Sequence, residues 1–205
     1  MRNGLLIVLV AIGCSAGGAV LGVLTYEAVG QQEGTLVACY HVSVTNVKKN
    51  LTPEEVKRAL LATPNVVRVA KVRMVPGTFD TYIIVKSKQP ISKYQMIQNI
   101  TQTLRKKHIG KVPAVFMNQI RGYVVRIYVH QPIVSAHTFA KAVSHAPSIC
   151  AVFKCVKRGR MYEIEVASLE DPYPVAYAVT ETAKKLGLHP AGMADVSNIQ
   201  WGVLL

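Results

Sequence analysis

Acidic residues are scarce in this sequence, and recognisable catalytic motifs are absent. Asp and Glu number 11 in 205 residues, against 24 Lys and Arg, and no two carboxylates stand out as a catalytic pair. No Gly-x-Ser-x-Gly, His-Glu-x-x-His or phosphate-binding loop pattern occurs. The acidic residues within 52–55 and 171–172 match helix starts instead. We therefore predict that the protein is not an enzyme and holds no cofactor.

Cysteine is also rare, with four residues and no Cys-x-x-Cys pair. Three of the four lie beyond residue 26, and an odd number does not give a disulfide framework. Cys150 and Cys155 fall on one predicted strand, where their spacing places the side chains on opposite faces. A bond between them is therefore not expected, whereas Cys39 could pair with either of them.

Charged side chains are missing from residues 3–26, which are mostly apolar. As a helix rising ~1.5 Å per residue, this segment would span roughly 36 Å, enough to cross a ~30 Å hydrocarbon core. We interpret residues 1–26 as a retained transmembrane signal anchor. A cleaved signal peptide and a lipoprotein signal ending at Cys14 are the alternatives. Small residues spaced by four allow close helix packing in membranes, and the predicted packing residues are Gly13, Gly17, Gly18 and Gly22.

The charges next to this segment predict its orientation. Arg2 precedes it, whereas Glu27 and Glu33 follow it. Because basic residues tend to stay on the cytoplasmic side, we predict a single-pass membrane protein with a cytoplasmic N-terminus and its domains outside the cytoplasm. Residues 27–34 would form a short, flexible spacer.

After the spacer, residue patterns typical of strands and helices follow in the order βαββαβ, and the same order then occurs a second time. Capping residues such as Thr52 and Ser92 begin helices, and short β-branched runs, including 112–117 and 123–130, predict separate strands. Residues 64–72 align without gaps on residues 147–155. We predict an α+β fold in which the transmembrane helix is followed by two tandem ferredoxin-like (βαββαβ) domains with antiparallel sheets. Their predicted bounds are 35–120 and 121–205.

Several families of small domains share this order of elements, and the sequence has the motifs of some of them but not of others. Metal carriers need two cysteines in the loop before the first helix, and amino-acid sensors carry a glycine-bearing loop there. Residues 44–51 and 130–134 include neither feature, so we predict no metal site. Residues 127–129 and 158–162 resemble the base-stacking motifs of RNA-recognition modules. Arg160 stands where those motifs have an aromatic residue.

Positive charge is concentrated in the first predicted domain. Residues 35–120 contain 14 Lys and Arg against 3 Asp and Glu, whereas residues 121–205 contain 9 against 6. Such an excess favours an anionic partner such as nucleic acid, lipid headgroups, polysaccharide or an acidic protein. The predicted patch for this partner consists of Lys57, Arg58, Lys71, Arg73, Lys86, Lys88, Arg105, Lys106 and Lys107.

These observations lead to one functional hypothesis and one alternative. The hypothesis is a membrane-anchored, non-enzymatic interaction or assembly scaffold, a subunit of a larger membrane or cell-surface complex that associates with itself or with other subunits. The alternative is a membrane-tethered nucleic-acid-binding protein that uses the basic first domain.

Overall fold

The computed structural model describes residues 36–199 of the chain. The predicted anchor, the spacer and the four helix-packing glycines, Gly13, Gly17, Gly18 and Gly22, lie outside the described residues. The described elements, in chain order, are β1 Leu36–Thr45, α1 Pro53–Leu61, β2 Val66–Val75, β3 Thr78–Ser87, α2 Lys93–Lys106, β4 Ala114–Tyr128, α3 Ala136–Val143, β5 Ala151–Arg158, β6 Met161–Ser168, α4 Pro172–Lys185 and β7 Asp195–Asn198.

Within residues 36–199, no helix is both long and apolar enough to cross a membrane. The helices α2 and α4 have 14 residues each. At ~1.5 Å per residue, each is roughly 21 Å long, short of a ~30 Å hydrocarbon core. The structure therefore does not support the predicted single-pass membrane protein or its predicted localisation.

All strands pair antiparallel in one sheet with the order β2-β3-β1-β4-β6-β5, and β7 pairs with β4. The outer strands approach each other. Lys71 Nζ on β2 donates to the carbonyl oxygen of Cys150, the residue before β5, at 2.6 Å. Arg68 on β2 lies 3.8 Å from the Glu165 carboxylate on β6. The sheet is therefore nearly closed and barrel-like, and four helices accompany it.

The predicted fold class needs a second correction, because the two halves do not form separate ferredoxin-like sheets. The cause is β4, a strand of 15 residues. Its residues 114–120 pair with β1, and its residues 121–128 pair with β6. One uninterrupted strand thus carries the sheet from one half into the other, and the described residues belong to one compact unit. The predicted boundary between residues 120 and 121 falls inside this strand.

Local sequence explains where three of the four helices begin. Thr52 and Glu55 form a capping box at α1, in which the Thr52 N–H donates to the Glu55 carboxylate at 2.8 Å. Ser92 and Ser135 accept from backbone N–H groups at the starts of α2 and α3. Asp171 precedes α4 but makes no side-chain cap bond; its carboxylate accepts from Arg121 instead.

The buried side chains form three clusters. Two lie between the sheet and the helices, the first built around residues such as Tyr40 and Met96 and the second around Phe139 and Tyr162. The third lies on the other face of the sheet and includes Cys39. It contains residues from both halves of the chain, so burial of this apolar surface holds the nearly closed sheet together.

Candidate functional site

Two loops that are distant in sequence meet at one end of the sheet. The backbone N–H of Lys48, in the loop before α1, donates to the carbonyl oxygen of Ile109 at 2.9 Å, after the end of α2. Next to this bond the chains approach so closely that a Cβ on Gly110 would lie 2.6 Å from the Asn46 carbonyl oxygen. Val47 N–H donates to Gly77 in the β2–β3 turn at 3.2 Å. These bonds fix the relative positions of the loops.

The meeting point gathers positive charge, and we call it the basic end. Its residues are exposed and lie on the two loops or in the last turn of α2: Lys48, Lys49, Arg105, Lys106, Lys107 and Lys111. None of these six forms an ion pair with another of residues 36–199. Since like charges repel, an anion bound among them would relieve the repulsion.

The carboxylates at the start of α1, Glu54 and Glu55, offset the six positive charges of the basic end only in part. The pKa of the Glu55 carboxyl is lowered, first by hydrogen bonds from Thr52 and then by the charges of Arg58 and Lys48. Glu55 therefore stays ionised, but its side chain is used in the capping box. Part of the basic end has a structural explanation, because Arg105 and Lys106 lie favourably at the negative end of the α2 dipole. The loop lysines have no such role.

The predicted anionic-partner patch is not one surface. Arg105, Lys106 and Lys107 belong to the basic end, whereas Lys86 and Lys88 lie at or beyond the far end of β3. Lys57 and Arg58 are on α1. The remaining two are on β2, where Lys71 bonds to Cys150 and Arg73 lies in register with Asp80.

Three residues of the basic end were absent from the predicted patch, namely Lys48, Lys49 and Lys111. Lys111 lies close to Lys107 in the sequence and could have been included on that ground, whereas Lys48 and Lys49 are far from α2 in the sequence. One signal was available. In a βαββαβ order, the loop after the first strand and the loop after the second helix emerge at the same end of the sheet.

The residues that resemble RNA-recognition motifs do not form a base-stacking platform. Tyr162 is buried against Phe139, with ring centroids 4.7 Å apart, and its hydroxyl donates to the Val134 carbonyl. It therefore faces the helices and has no free ring face for a base. Tyr128 is 58% exposed, but it lies on the opposite face of the sheet. Residues 127–129 and 158–162 therefore do not place two aromatic rings on one face of the sheet, as the RNA-recognition motifs that they resemble do.

The thiols and histidines of the described residues form no reactive centre. Burial is the main cause that raises the pKa of Cys39 far above its usual value, and it raises the pKa of Cys155 to about 11. These two and Cys150 are free thiols. His41 lies 3.6 Å from the Asp80 carboxylate, and its ring is tilted by 36° against that of Tyr82 with centroids 5.0 Å apart. No group of three or more metal-ligating side chains occurs within residues 36–199.

No family model and no curated protein matches the chain. Among similar solved structures is the regulatory subunit of aspartate kinase from Thermus thermophilus, in its ligand-free form. It is 13% identical, the match covers 73% of this chain and 96% of that one, and the TM-score is 0.39. An unknown protein from Galdieria sulphuraria is 14% identical over 79% and 97% of the two chains, with a TM-score of 0.28. A Bacteroides thetaiotaomicron protein is 14% identical over 80% and 94%, with a TM-score of 0.30.

TM-scores this low assign no function to the chain. Nothing in the described residues supports a membrane partner. The predicted membrane-anchored scaffold and its membrane-tethered nucleic-acid-binding alternative both need a membrane helix. No helix within residues 36–199 is long and apolar enough to provide one, so neither hypothesis is supported.

Proposed function

We propose that the protein is a non-enzymatic binding protein whose basic end binds an acidic segment of a partner protein. The observation that carries this proposal is the convergence of six cationic side chains from two loops and one helix end. None of them has an acidic partner within residues 36–199. Positive charges that outnumber the nearby carboxylates favour an anionic partner.

The exposure of the basic end favours an extended partner over a small anion. Sites for small molecules enclose their ligand and place a few polar groups in a fixed geometry. The basic end instead offers long, flexible side chains on an open surface, spread over the Lys48 loop, the Lys111 loop and α2. A peptide with several carboxylates can contact many of these groups at once.

Each contact would be weak, so the affinity would come from their number. An exposed ion pair contributes about 0.2–1 kcal/mol. Several such pairs are needed for measurable binding, and they weaken as salt shortens the screening length to roughly 8 Å at physiological ionic strength. We therefore expect binding that depends steeply on salt and changes gradually as single charges are removed.

The test is fluorescence anisotropy of a labelled poly-glutamate peptide with the full-length protein. The variant Lys48→Gln/Lys49→Gln/Lys111→Gln should weaken binding about tenfold or more, if it loses about three exposed pairs. Its matched control, Lys86→Gln/Lys88→Gln/Lys93→Gln, removes the same charge from the opposite end of the same half. The control should bind almost as tightly as the unaltered protein.

Two results would overturn the proposal. Equal losses in both triple variants would show that net charge alone attracts the peptide. Tighter binding of a sulfated polysaccharide or an oligonucleotide than of poly-glutamate, at the same salt concentration, would show that an acidic protein segment is not the preferred partner.

A further inference from the structure

One edge of β4 has backbone groups without a strand partner in the described part of the chain. In antiparallel pairing, successive residues direct their N–H and C=O groups to opposite edges of a strand. Lys86 N–H on β3 points toward β2, where it donates to Asn65 at 2.8 Å, and the β3–β1 and β1–β4 registers then direct even-numbered residues of β4 toward β1. Val129 N–H, just after β4, donates to Arg160 at 2.9 Å, so the odd-numbered residues face β6.

Three odd-numbered residues, Val115, Met117 and Gln119, lie beyond the end of β6 along that edge, because β6 pairs with β4 only from Arg121 onward. Within residues 36–199, this stretch makes no backbone bond apart from the β1 ladder. The space next to Gln119 is open, in a cavity of about 560 Å³ that Asp171 also lines. We call this stretch of β4, residues 115–119, the free edge.

The free edge lacks the features that usually prevent pairing with another strand. Natural edge strands carry charges, bulges or prolines. Residues 114–120 contain no charged residue and no proline, and their pairing with β1 has no register shift. Phe116 is 60% exposed and offers its ring to a neighbouring strand. Each copy of the chain carries a formal charge of +13 and repels another copy, so the free edge suits a strand of opposite charge.

The free edge starts at the basic end. The loop that carries Lys48 directly follows β1, whose last residue pairs with Ala114, and Lys111 lies just before Ala114 in the sequence. At the other end of the free edge, Arg121 already forms an ion pair with Asp171. Only one end of the free edge therefore has basic side chains available for carboxylates.

We infer that the acidic segment of the partner protein is continuous with a β-strand that pairs antiparallel with the free edge. This inference rests on the proposed function, because the carboxylates at the basic end bring the segment to the free edge. Antiparallel pairing is slightly more stable per residue than parallel pairing. It makes the bound strand run from Gln119 toward Val115, so the carboxylates follow the strand in the partner's sequence.

The register of this strand follows from the groups that β4 leaves unpaired. The strand begins opposite Gln119, because β6 occupies the next hydrogen-bonding position, at Arg121. Residues opposite Val115, Met117 and Gln119 each exchange two backbone hydrogen bonds with β4, about six in all. A β-branched side chain opposite Phe116 shields part of its ring from water.

Fluorescence anisotropy of two labelled peptides with the full-length protein separates the strand from the charge. One peptide has six glutamates, and the other has Thr-Val-Thr-Val-Thr before six glutamates, which places its valines opposite Asn118 and Phe116. The longer peptide should bind about tenfold or more tightly than the shorter one. Methyl groups on the backbone nitrogens of its third and fifth residues, which face β4, should remove this gain. Methyl groups on the second and fourth residues, whose N–H groups point away from β4, are the matched control and should preserve it.

The variant Gln119→Pro tests the same contact from the side of the protein. Proline is tolerated on an edge strand where the N–H faces outward, and here it removes one donor of the free edge. Gln119→Ala keeps that donor and is the control. The proline variant should bind the longer peptide about threefold or more weakly than the alanine variant does. Both variants should bind the six-glutamate peptide equally.

The outcomes distinguish the two proposals. If the six-glutamate peptide does not bind, the proposed function fails, and the strand pairing fails with it. If that peptide binds but the longer one gains nothing, or gains equally when its third and fifth residues are methylated, only the strand pairing is overturned. Amide hydrogen exchange gives a direct readout, since Val115, Met117 and Gln119 should become protected with the longer peptide alone. Unchanged exchange at these three amides would also overturn the pairing.

Discussion

The ammonium group of Lys71 donates to the carbonyl oxygen of Cys150, and the bond connects β2 to the residue just before β5, so it links the two outer edges of a nearly closed sheet. Lys71 also has a φ of 53°, in the left-handed region that costs most residues about 1–2 kcal/mol. It sits at a register shift in the β2–β3 pairing, between Ala70 and Arg73. The bulge turns the Lys71 side chain toward β5, so the strained backbone and the bond belong to one feature.

Replacing Lys71 should separate these two contributions. Lys71→Ala loses the bond and keeps the left-handed backbone, whereas Lys71→Gly loses the bond and tolerates that backbone. We expect Lys71→Gly to be more stable than Lys71→Ala by about 1 kcal/mol in urea unfolding. Lys157→Ala and Lys157→Gly give the matched comparison on an ordinary strand residue, and there the alanine variant should be the more stable. The same order at both positions would contradict the role of the bulge.

The helix starts make a second prediction, because two residues that look alike in sequence behave differently. Thr52 caps α1, but Asp171 at the start of α4 makes no cap bond and pairs with Arg121. Thr52→Ala should lower the free energy of unfolding by about 1 kcal/mol. Asp171→Ala should cost no more than about 0.5 kcal/mol, since it loses only an exposed ion pair. Urea unfolding measures both, and equal losses would show that Asp171 caps the helix in solution.

The sequence predicted the helices of this protein better than its sheet. Capping residues and apolar spacing are local signals, so the starts at Thr52, Ser92 and Ser135 could be predicted from neighbouring residues alone. The continuous strand β4, which joins the two halves, could not be predicted in this way. Residues 112–117 and 123–130 suggested two strands, because Asn118 and Gly122 between them have low strand propensity.

In the structure that intervening segment is strand, and long-range contacts explain why. A Cβ on Gly122 would lie 3.3 Å from the Cβ of Cys39 and 3.1 Å from the side chain of Ile199. An added methyl group would crowd both side chains, so the glycine fits close packing rather than a turn. Arg105, Lys106 and Lys107 of the basic end were in the predicted patch. The addition of Lys48 and Lys49 could not be predicted for the same kind of reason, since Lys48 and Ile109 meet only after the chain folds.

The pH dependence of stability makes a third prediction, centred on Glu55. In the folded protein the pKa of this carboxyl lies below 4.5, the ordinary value for glutamate, and hydrogen bonds from Thr52 are the main cause. A carboxyl whose folded pKa is depressed stabilises the fold above its unfolded pKa, and the effect is lost as pH falls through the folded value. The difference in urea midpoint between the unaltered protein and Glu55→Gln should thus be largest near neutral pH and shrink below about pH 4.

Thr52→Ala supplies the control for this pH effect. It removes the hydroxyl donor but keeps the backbone donor, so Glu55→Gln in the Thr52→Ala background should show a smaller dependence on pH. If the difference between the Glu55 variants stayed constant down to about pH 3, the carboxylate would not contribute through its ionised form.

Gly110 provides the last prediction, because it links stability to the proposed binding surface. A methyl group at this position would lie 2.6 Å from the Asn46 carbonyl oxygen, which is backbone and has little freedom to move. Gly110→Ala should therefore push the Lys48 and Lys111 loops apart and lower the free energy of unfolding by about 1–3 kcal/mol. Gly192→Ala is the matched control, since its added Cβ would meet nothing within 4 Å. Under conditions where both variants are folded, only Gly110→Ala should weaken poly-glutamate binding. Unchanged binding by a destabilised Gly110→Ala would show that the basic end does not depend on the contact between its two loops.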